Sequence, residues 1–315
     1  MPINQKYVMR ALLAGLASAC AFMALFSGNI LGFALGVLSP LPLFFTALTA
    51  GLTGTALATL LAFGLLALQA EAILSVGVFL LGLAGAPLYL AWQMDRAGQM
   101  PRRLSGQAIG AHLAVLALAG GALIGLSLLQ LDKALVEVGG LSGYARLSVD
   151  AFVNAMAAGG NVRNADLMTM KVQANALGAA IYAVAGAIWL IFMAVNAGIA
   201  ARIAKSAPSF DFANIRMLQM PRWVIFPVIA FSVLSLSSGT PGVAMAVLAV
   251  TLLMACALQG LSVIHFVSQK LRYRGAFLFG VYALCFFFNP AGLLLALMGL
   301  IDSRLDLRQR LASGP

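Results

Sequence analysis

Apolar runs recur along almost the whole chain, at 11–38, 41–68, 72–92, 108–130, 177–200, 223–237, 243–267 and 276–301. Most are long enough to cross the roughly 30 Å of hydrocarbon in a bilayer. The 315 residues are 62% hydrophobic and only 9% charged, whereas soluble domains are nearer half apolar and a quarter charged. Water cannot solvate that surface, so lipid must. The expectation is an all-α polytopic integral membrane helical bundle, with residues 1–315 forming one membrane domain.

The net charge of +10 invites a nucleic-acid reading, which the placement of the charge removes. Lys and Arg collect in short loops: Arg96, Arg102 and Arg103; Arg202, Lys205, Arg216 and Arg222; Lys270, Arg272 and Arg274. That is the positive-inside pattern of membrane proteins, and no basic stripe interleaved with aromatics accompanies it. Eight simple spans would put Lys6 and Arg10, and also Arg304, Arg308 and Arg310, on the opposite face from these loops. Two changes restore one-sidedness. Residues 41–68 would cross twice in short pieces that turn near Gly51-Leu52-Thr53-Gly54, and residues 276–301 would form a hairpin turning at Asn289-Pro290. The chain is therefore expected to have about 8–10 membrane segments, some short or broken, and both termini in the cytoplasm.

The one sizeable hydrophilic stretch, 131–175, balances Lys133, Arg146, Arg163 and Lys171 against Asp132, Glu137, Asp150 and Asp166. Its neutrality fits the translocated side. Within it, Leu147, Ala151, Phe152 and Ala155 share a helical stripe over 145–158, the pattern of an interfacial helix or lid. Gly159-Gly160-Asn161 would end that helix.

Residues 28–45 read GNILGFALGVLSPLPLFF. Gly28, Gly32 and Gly36 are spaced four apart, which on a helix gives one flat face for close packing or for docking a partner. That stretch runs into Ser39-Pro40-Leu41-Pro42, where the prolines lack backbone donors and push their predecessors out of the α region. A broken helix at membrane depth is tolerated only where protein or a water-filled cavity satisfies the freed groups. Candidate ligand-binding residues follow from this break: Pro40, Pro42, Thr46, Thr49 and Thr53, together with Glu71 at the outer end of two adjoining spans. Hydroxyls of this kind more often bond their own helix or a neighbour, and Glu71 also fits a polar turn at the membrane surface.

Catalytic signatures are absent. There is no HExxH, GxSxG or Walker A loop, so the chain is not expected to be an enzyme and calls for no cofactor. Cys20, Cys256 and Cys285 lie inside apolar runs without metal-type spacing and read as small buried residues. His112 and His265 sit near span ends with no second metal-type ligand nearby, so no metal site is expected. Asn29, Asn175, Asn196, Gln259 and Asn289 need polar partners in hydrocarbon, and a single sequence does not pair them.

The N-terminal Gly-rich span leading into Leu38-Ser39-Pro40-Leu41-Pro42-Leu43, and the C-terminal Met298-Gly299-Leu300-Ile301-Asp302-Ser303-Arg304-Leu305-Asp306-Leu307-Arg308, together resemble the YybS-like group of bacterial membrane proteins (DUF2232). That group in turn resembles the substrate-binding S components of energy-coupling-factor vitamin transporters. The resemblance implies an S-component-like core of about six helices in the bacterial inner membrane. It also implies a small-molecule ligand taken from outside, and as partners a membrane coupling subunit and ATPases. Gly28, Gly32 and Gly36, or Ala14 and Ser18, would then serve as the docking face. The expected function is small-molecule binding or a transport-associated role. The alternative is a non-transporting scaffold of the bacterial envelope.

Orientation is directly testable. Reporters that are active only in the cytoplasm should score positive when fused at either terminus, and a cysteine placed in 131–175 should react with an impermeant thiol reagent from outside. A translocated terminus would overturn the charge assignment.

Overall fold

The computed structural model describes residues 5–68, 77–96, 106–158, 168–169, 172, 182–204, 218–288, 290–308 and 310. Among them there are helices and no strands. The α-helices are α1 (Gln5–Ala24), α2 (Ile30–Val37), α3 (Leu41–Ala67), α4 (Gly85–Arg96), α5 (Gly106–Ala134), α6 (Gly140–Ala158), α7 (Ala185–Ile203), α8 (Ile225–Leu234), α9 (Gly239–Val267), α10 (Arg274–Phe287) and α11 (Pro290–Leu305). A π-helical stretch, Val78–Ala84, leads into α4. Among the described residues, five stretches are long and apolar enough to cross a membrane: Val8–Ser27, Ile30–Ala67, Gly106–Ala134, Tyr182–Ile203 and Gly239–Lys270. A sixth forms if α10 and α11 count as one broken span, while Arg222–Leu234 is apolar but shorter. The outward surfaces match a lipid solvent. Ile30, Leu31, Phe286 and Phe287 are each more than 65% exposed, a pattern that water would penalise.

Two compact units divide the chain. The first comprises Met1–Leu116, Trp189–Pro221 and Cys256–Pro315; the second comprises Ala117–Ile188 and Arg222–Ala255.

In the first unit, α1 packs on α3 through Ala11, Ala14, Ala58 and Ala62, with Phe22 and Phe79 filling one end. Gly15 permits the approach, because a Cβ there would overlap the Ala58 carbonyl. The region before the prolines departs from a continuous glycine face. Gly28 is in the left-handed region (φ 70°) and ends a short 3-10 turn, Leu25–Ser27. Asn29 then caps α2 by accepting from the Gly32 amide at 2.8 Å. Gly28 therefore lies outside the helix and is exposed, and only Gly32 and Gly36 share a buried face. Their faces are filled from within the chain: a Cβ on Gly32 would overlap Ala24 and Ser27, and one on Gly36 would overlap Leu25.

The proline break is closed by two side chains. Pro40 and Pro42 have no N–H, so the carbonyls of Val37 and Ser39 lose the donor three residues on. The Leu41 amide bonds Leu38 instead. Asn196 Nδ2 of α7 donates to the Val37 carbonyl at 2.9 Å, and Ser18 Oγ of α1 donates to the Ser39 carbonyl at 2.7 Å. Ser18, Ser39 and Asn196 are fully buried.

The backbone of α3 departs from helical geometry at Gly51 (φ 63°, ψ −163°), and Ile30–Ala67 counts as a single candidate span. Thr55 Oγ1 donates to the Gly51 carbonyl at 2.8 Å. At the other expected turn, α10 and α11 meet at 118°; Asn289 itself lies outside the described residues. Here α9 and α11 touch backbone to backbone: a Cβ on Gly260 would overlap Leu295, and one on Gly299 would overlap Cys256.

The second unit has its own small core of Leu128, Leu141 and Val247, with Ile124, Leu135 and Tyr182 against it. Gly139 and Gly140, both at positive φ, turn the chain into α6, and Asp132 Oδ1 accepts from the Leu141 amide at 2.8 Å. The helix expected over 145–158 thus begins earlier, at Gly140. Leu141, Ala145 and Val153 are buried, while Leu147, Ala151 and Ala155 are exposed.

Replacing Asn196 with Leu should lower stability in detergent by about 1–2 kcal/mol, because it strands a buried carbonyl. Ser18→Ala should cost about 1 kcal/mol for the same reason. Thr49→Val, which removes a bond only to its own helix at Phe45, should change stability by less than about 0.5 kcal/mol. Unfolding titrations in mixed micelles check all three.

Candidate functional site

Within the first unit, helices α3, α4, α5, α7, α9 and α10 and the segment around Leu218 line a cavity of about 500 Å³, a volume in the range of small-molecule sites. Phe44, Leu90, Leu116, Leu190, Met193 and Leu258 supply apolar wall. The polar lining comes from His112, Arg202, Ser262, His265, Arg274 and Tyr282, and among the described residues no Asp or Glu lines it. Each element reaches the cavity for a local reason. On α7, Leu190, Met193, Ala194, Ala197 and Gly198 recur at helical spacing and turn one face inward. The small members of that set make the room.

The two histidines share this cavity although they are far apart in sequence. His265 Nε2 is 2.8 Å from the Tyr282 hydroxyl, which joins the end of α9 to α10. The His112 ring meets Tyr89 of α4 edge to face, with centroids 5.8 Å apart. Among the described residues, no group of three His, Cys, Asp or Glu side chains is placed to hold a metal ion.

A buried polar network fixes the cavity wall near Leu218. Asp302 of α11 is fully buried, and its Oδ2 receives Gln259 Nε2 at 2.6 Å and Arg308 Nη2 at 2.7 Å. Arg308 Nη2 also donates to the Leu218 carbonyl at 2.8 Å, and Nη1 reaches Ser262 Oγ at 3.5 Å. Gln259 Oε1 accepts from the Met220 amide at 2.9 Å. Residues 218–220 are thereby held between α9, α11 and the chain beyond it. On their other side, the Gln219 amide donates to the Gly106 carbonyl at 3.2 Å. Gly110 lets the Gln219 backbone lie against α5, because a Cβ there would overlap the Gln219 carbonyl. Gln219 Nε2 further donates to Asp306. Two lining residues, Leu218 and Ser262, are thus set by one guanidinium.

The residues expected to bind ligand lie elsewhere. None of Pro40, Pro42, Thr46, Thr49 and Thr53 lines this cavity. Thr46 and Thr49 donate to their own helix, at Leu43 and Phe45, and Thr53 is exposed. Pro40 is buried and Pro42 half-buried at the break described above. Glu71 lies outside the described residues. The cavity residues that sequence reasoning passed over are Arg202, Ser262, Arg274 and Tyr282. The available signal was that both arginines stand at span ends, a position that topology explains equally well.

Helices of this length and apolarity, with large apolar side chains on their outward surfaces, define a polytopic helical membrane protein, which would sit in a lipid bilayer. A family model described as a predicted membrane protein, DUF2232, matches residues 16–303, and the chain belongs to that family. No curated protein and no solved structure matches the chain.

Removing one partner of the Asp302–Arg308 pair should be severe. Arg308→Met and Asp302→Leu should each lower stability by about 3–5 kcal/mol, the usual cost of stranding a buried charge. The double variant should lose clearly less than the sum. Additive losses in chemical unfolding would show that the two groups act independently.

Proposed function

We propose that this protein binds a small molecule in the cavity of its first unit and acts as a transport-associated protein of the bacterial inner membrane, with both termini cytoplasmic. The cavity carries the proposal: it combines a volume of about 500 Å³, mostly apolar walls and a few convergent polar groups. That combination is the general signature of ligand sites. The buried network at Asp302, Gln259 and Arg308 supports it further, because it holds part of the lining in place, and pre-formed sites bind with less ordering cost. No nucleotide-binding loop occurs in the sequence. Energised transport would therefore draw on an ion gradient or on partners, a membrane coupling subunit with ATPases. An envelope-scaffold role would lean on the glycine faces, and Gly32 and Gly36 are occupied by the chain's own Ala24, Leu25 and Ser27.

The test is a melting screen of the purified protein in detergent against vitamins, metal ions, amphiphiles and common polar metabolites. At least one class should raise the melting temperature in a saturable way, and Leu190→Trp, which fills the cavity, should abolish the rise. A flat response across all classes would overturn the proposal.

A further inference from the structure

We infer that the cavity takes a hydrocarbon-chained lipid directly from the bilayer, and that α10 is the wall that swings aside to admit it. This rests on the reading of the cavity as a ligand site. One wall of the cavity is α10, through Arg274 and Tyr282, which share one stripe of the helix. Phe279 and Phe287 lie off that stripe and are 76% and 83% exposed. On an apolar helix of a membrane protein, such rings have lipid as their solvent. At α10, then, one helix about 10–12 Å across stands between the cavity and hydrocarbon. Behind it the lining suits a chain: α7 presents Leu190, Met193, Ala194 and Ala197, and α9 presents Leu258 and Leu261. A hydrocarbon tail passing from bilayer to cavity exchanges one apolar surrounding for another. A water-soluble polar molecule would instead give up hydration against these side chains.

The helix α10 is held less firmly than its neighbours. Every one of its residues is exposed or half-buried. By contrast, α9 and α11 bury residues along their lengths and touch backbone to backbone at Gly260 and Gly299. A Cβ added at Gly275 or Gly280 of α10 would meet nothing within 4 Å, so neither glycine serves a close approach. Non-helical residues bound the helix at both ends: Tyr273 (φ −107°, ψ 48°) before it and Phe288 (φ −123°, ψ 92°) after it. Backbone at such helix ends can absorb a rotation, and a segment with few buried contacts opens at low cost. The 2.8 Å bond between His265 Nε2 and the Tyr282 hydroxyl joins the cavity face of α10 to α9. A side-chain hydrogen bond is a weak closure in a membrane protein, so it latches the wall without locking it.

The test uses the full chain in phosphatidylcholine nanodiscs. Two photoreactive probes are added singly: hexadecanol with a diazirine on its chain, and a short water-soluble diol with the same diazirine. Labelled residues are mapped by mass spectrometry. Hexadecanol should label cavity residues such as Met193 and Leu258 at least about tenfold more than the diol does. Closure is tested by pairing His265→Cys with Tyr282→Cys, in a chain whose Cys20, Cys256 and Cys285 are replaced by Ala, and joining the pair with a cleavable bismaleimide. With the tether in place, cavity labelling by hexadecanol should fall by about tenfold or more. It should return once the tether is cleaved, which also shows that the tethered protein was folded. Each single-cysteine variant carries the same reagent by one end, so bulk alone is controlled, and should keep its labelling. Tyr282→Phe, which removes the latch, should speed labelling about threefold, the scale of an average side-chain bond between membrane helices. Labelling that persists through the tether, preferential labelling by the diol, or no cavity labelling by hexadecanol overturns the inference and leaves the cavity a ligand site. A cavity that neither probe labels, together with a flat melting screen, overturns both.

Discussion

In hydrocarbon an unpaired backbone carbonyl has no water to turn to, and this constraint governs how the chain passes from α2 into α3. The prolines at 40 and 42 remove two donors at once, and the structure answers with two side chains from different helices, Ser18 and Asn196. Those bonds tie α1, the α2–α3 junction and α7 together at one level. The same helix α7 lines the cavity with its next residues, Ala197 and Gly198. Satisfying the break and shaping the cavity are thus carried by adjacent positions on one helix.

Much of this architecture could be read in the sequence because its cause is coarse. Long apolar runs have no stable home but lipid, and the glycine at 51, within the stretch expected to turn, is where the backbone of α3 leaves helical geometry. The 118° meeting of α10 and α11 falls where Asn289-Pro290 was expected to turn the chain. The glycine spacing at 28, 32 and 36 misled for a specific reason. Periodicity assumes a continuous helix, and Gly28 followed by Asn29 is also a stop signal and an N-cap. The local signals won.

The polar pairings could not be read in advance. Asn196 and Gln259 announce by their type that they need partners, yet the partners are the carbonyl of Val37 and the amide of Met220. Every residue offers such a carbonyl, so nothing in composition distinguishes the one that is used. The cavity was hidden differently. Arg202 and Arg274 carry topological information, and that sufficient explanation masked their second placement around the cavity. His112 and His265 looked isolated only because sequence distance conceals convergence.

The clasp formed by Arg308 also has a temporal side. Leu218, Gln259 and Asp302 all precede it in the chain, and each finds its bonding partner through or beside that guanidinium. During synthesis, every membrane segment described here leaves the ribosome before Arg308 does. Gln259 of α9 can hold Met220 without it, whereas the bonds to the Leu218 carbonyl and to Ser262 wait for Arg308, which stands beyond the last helix.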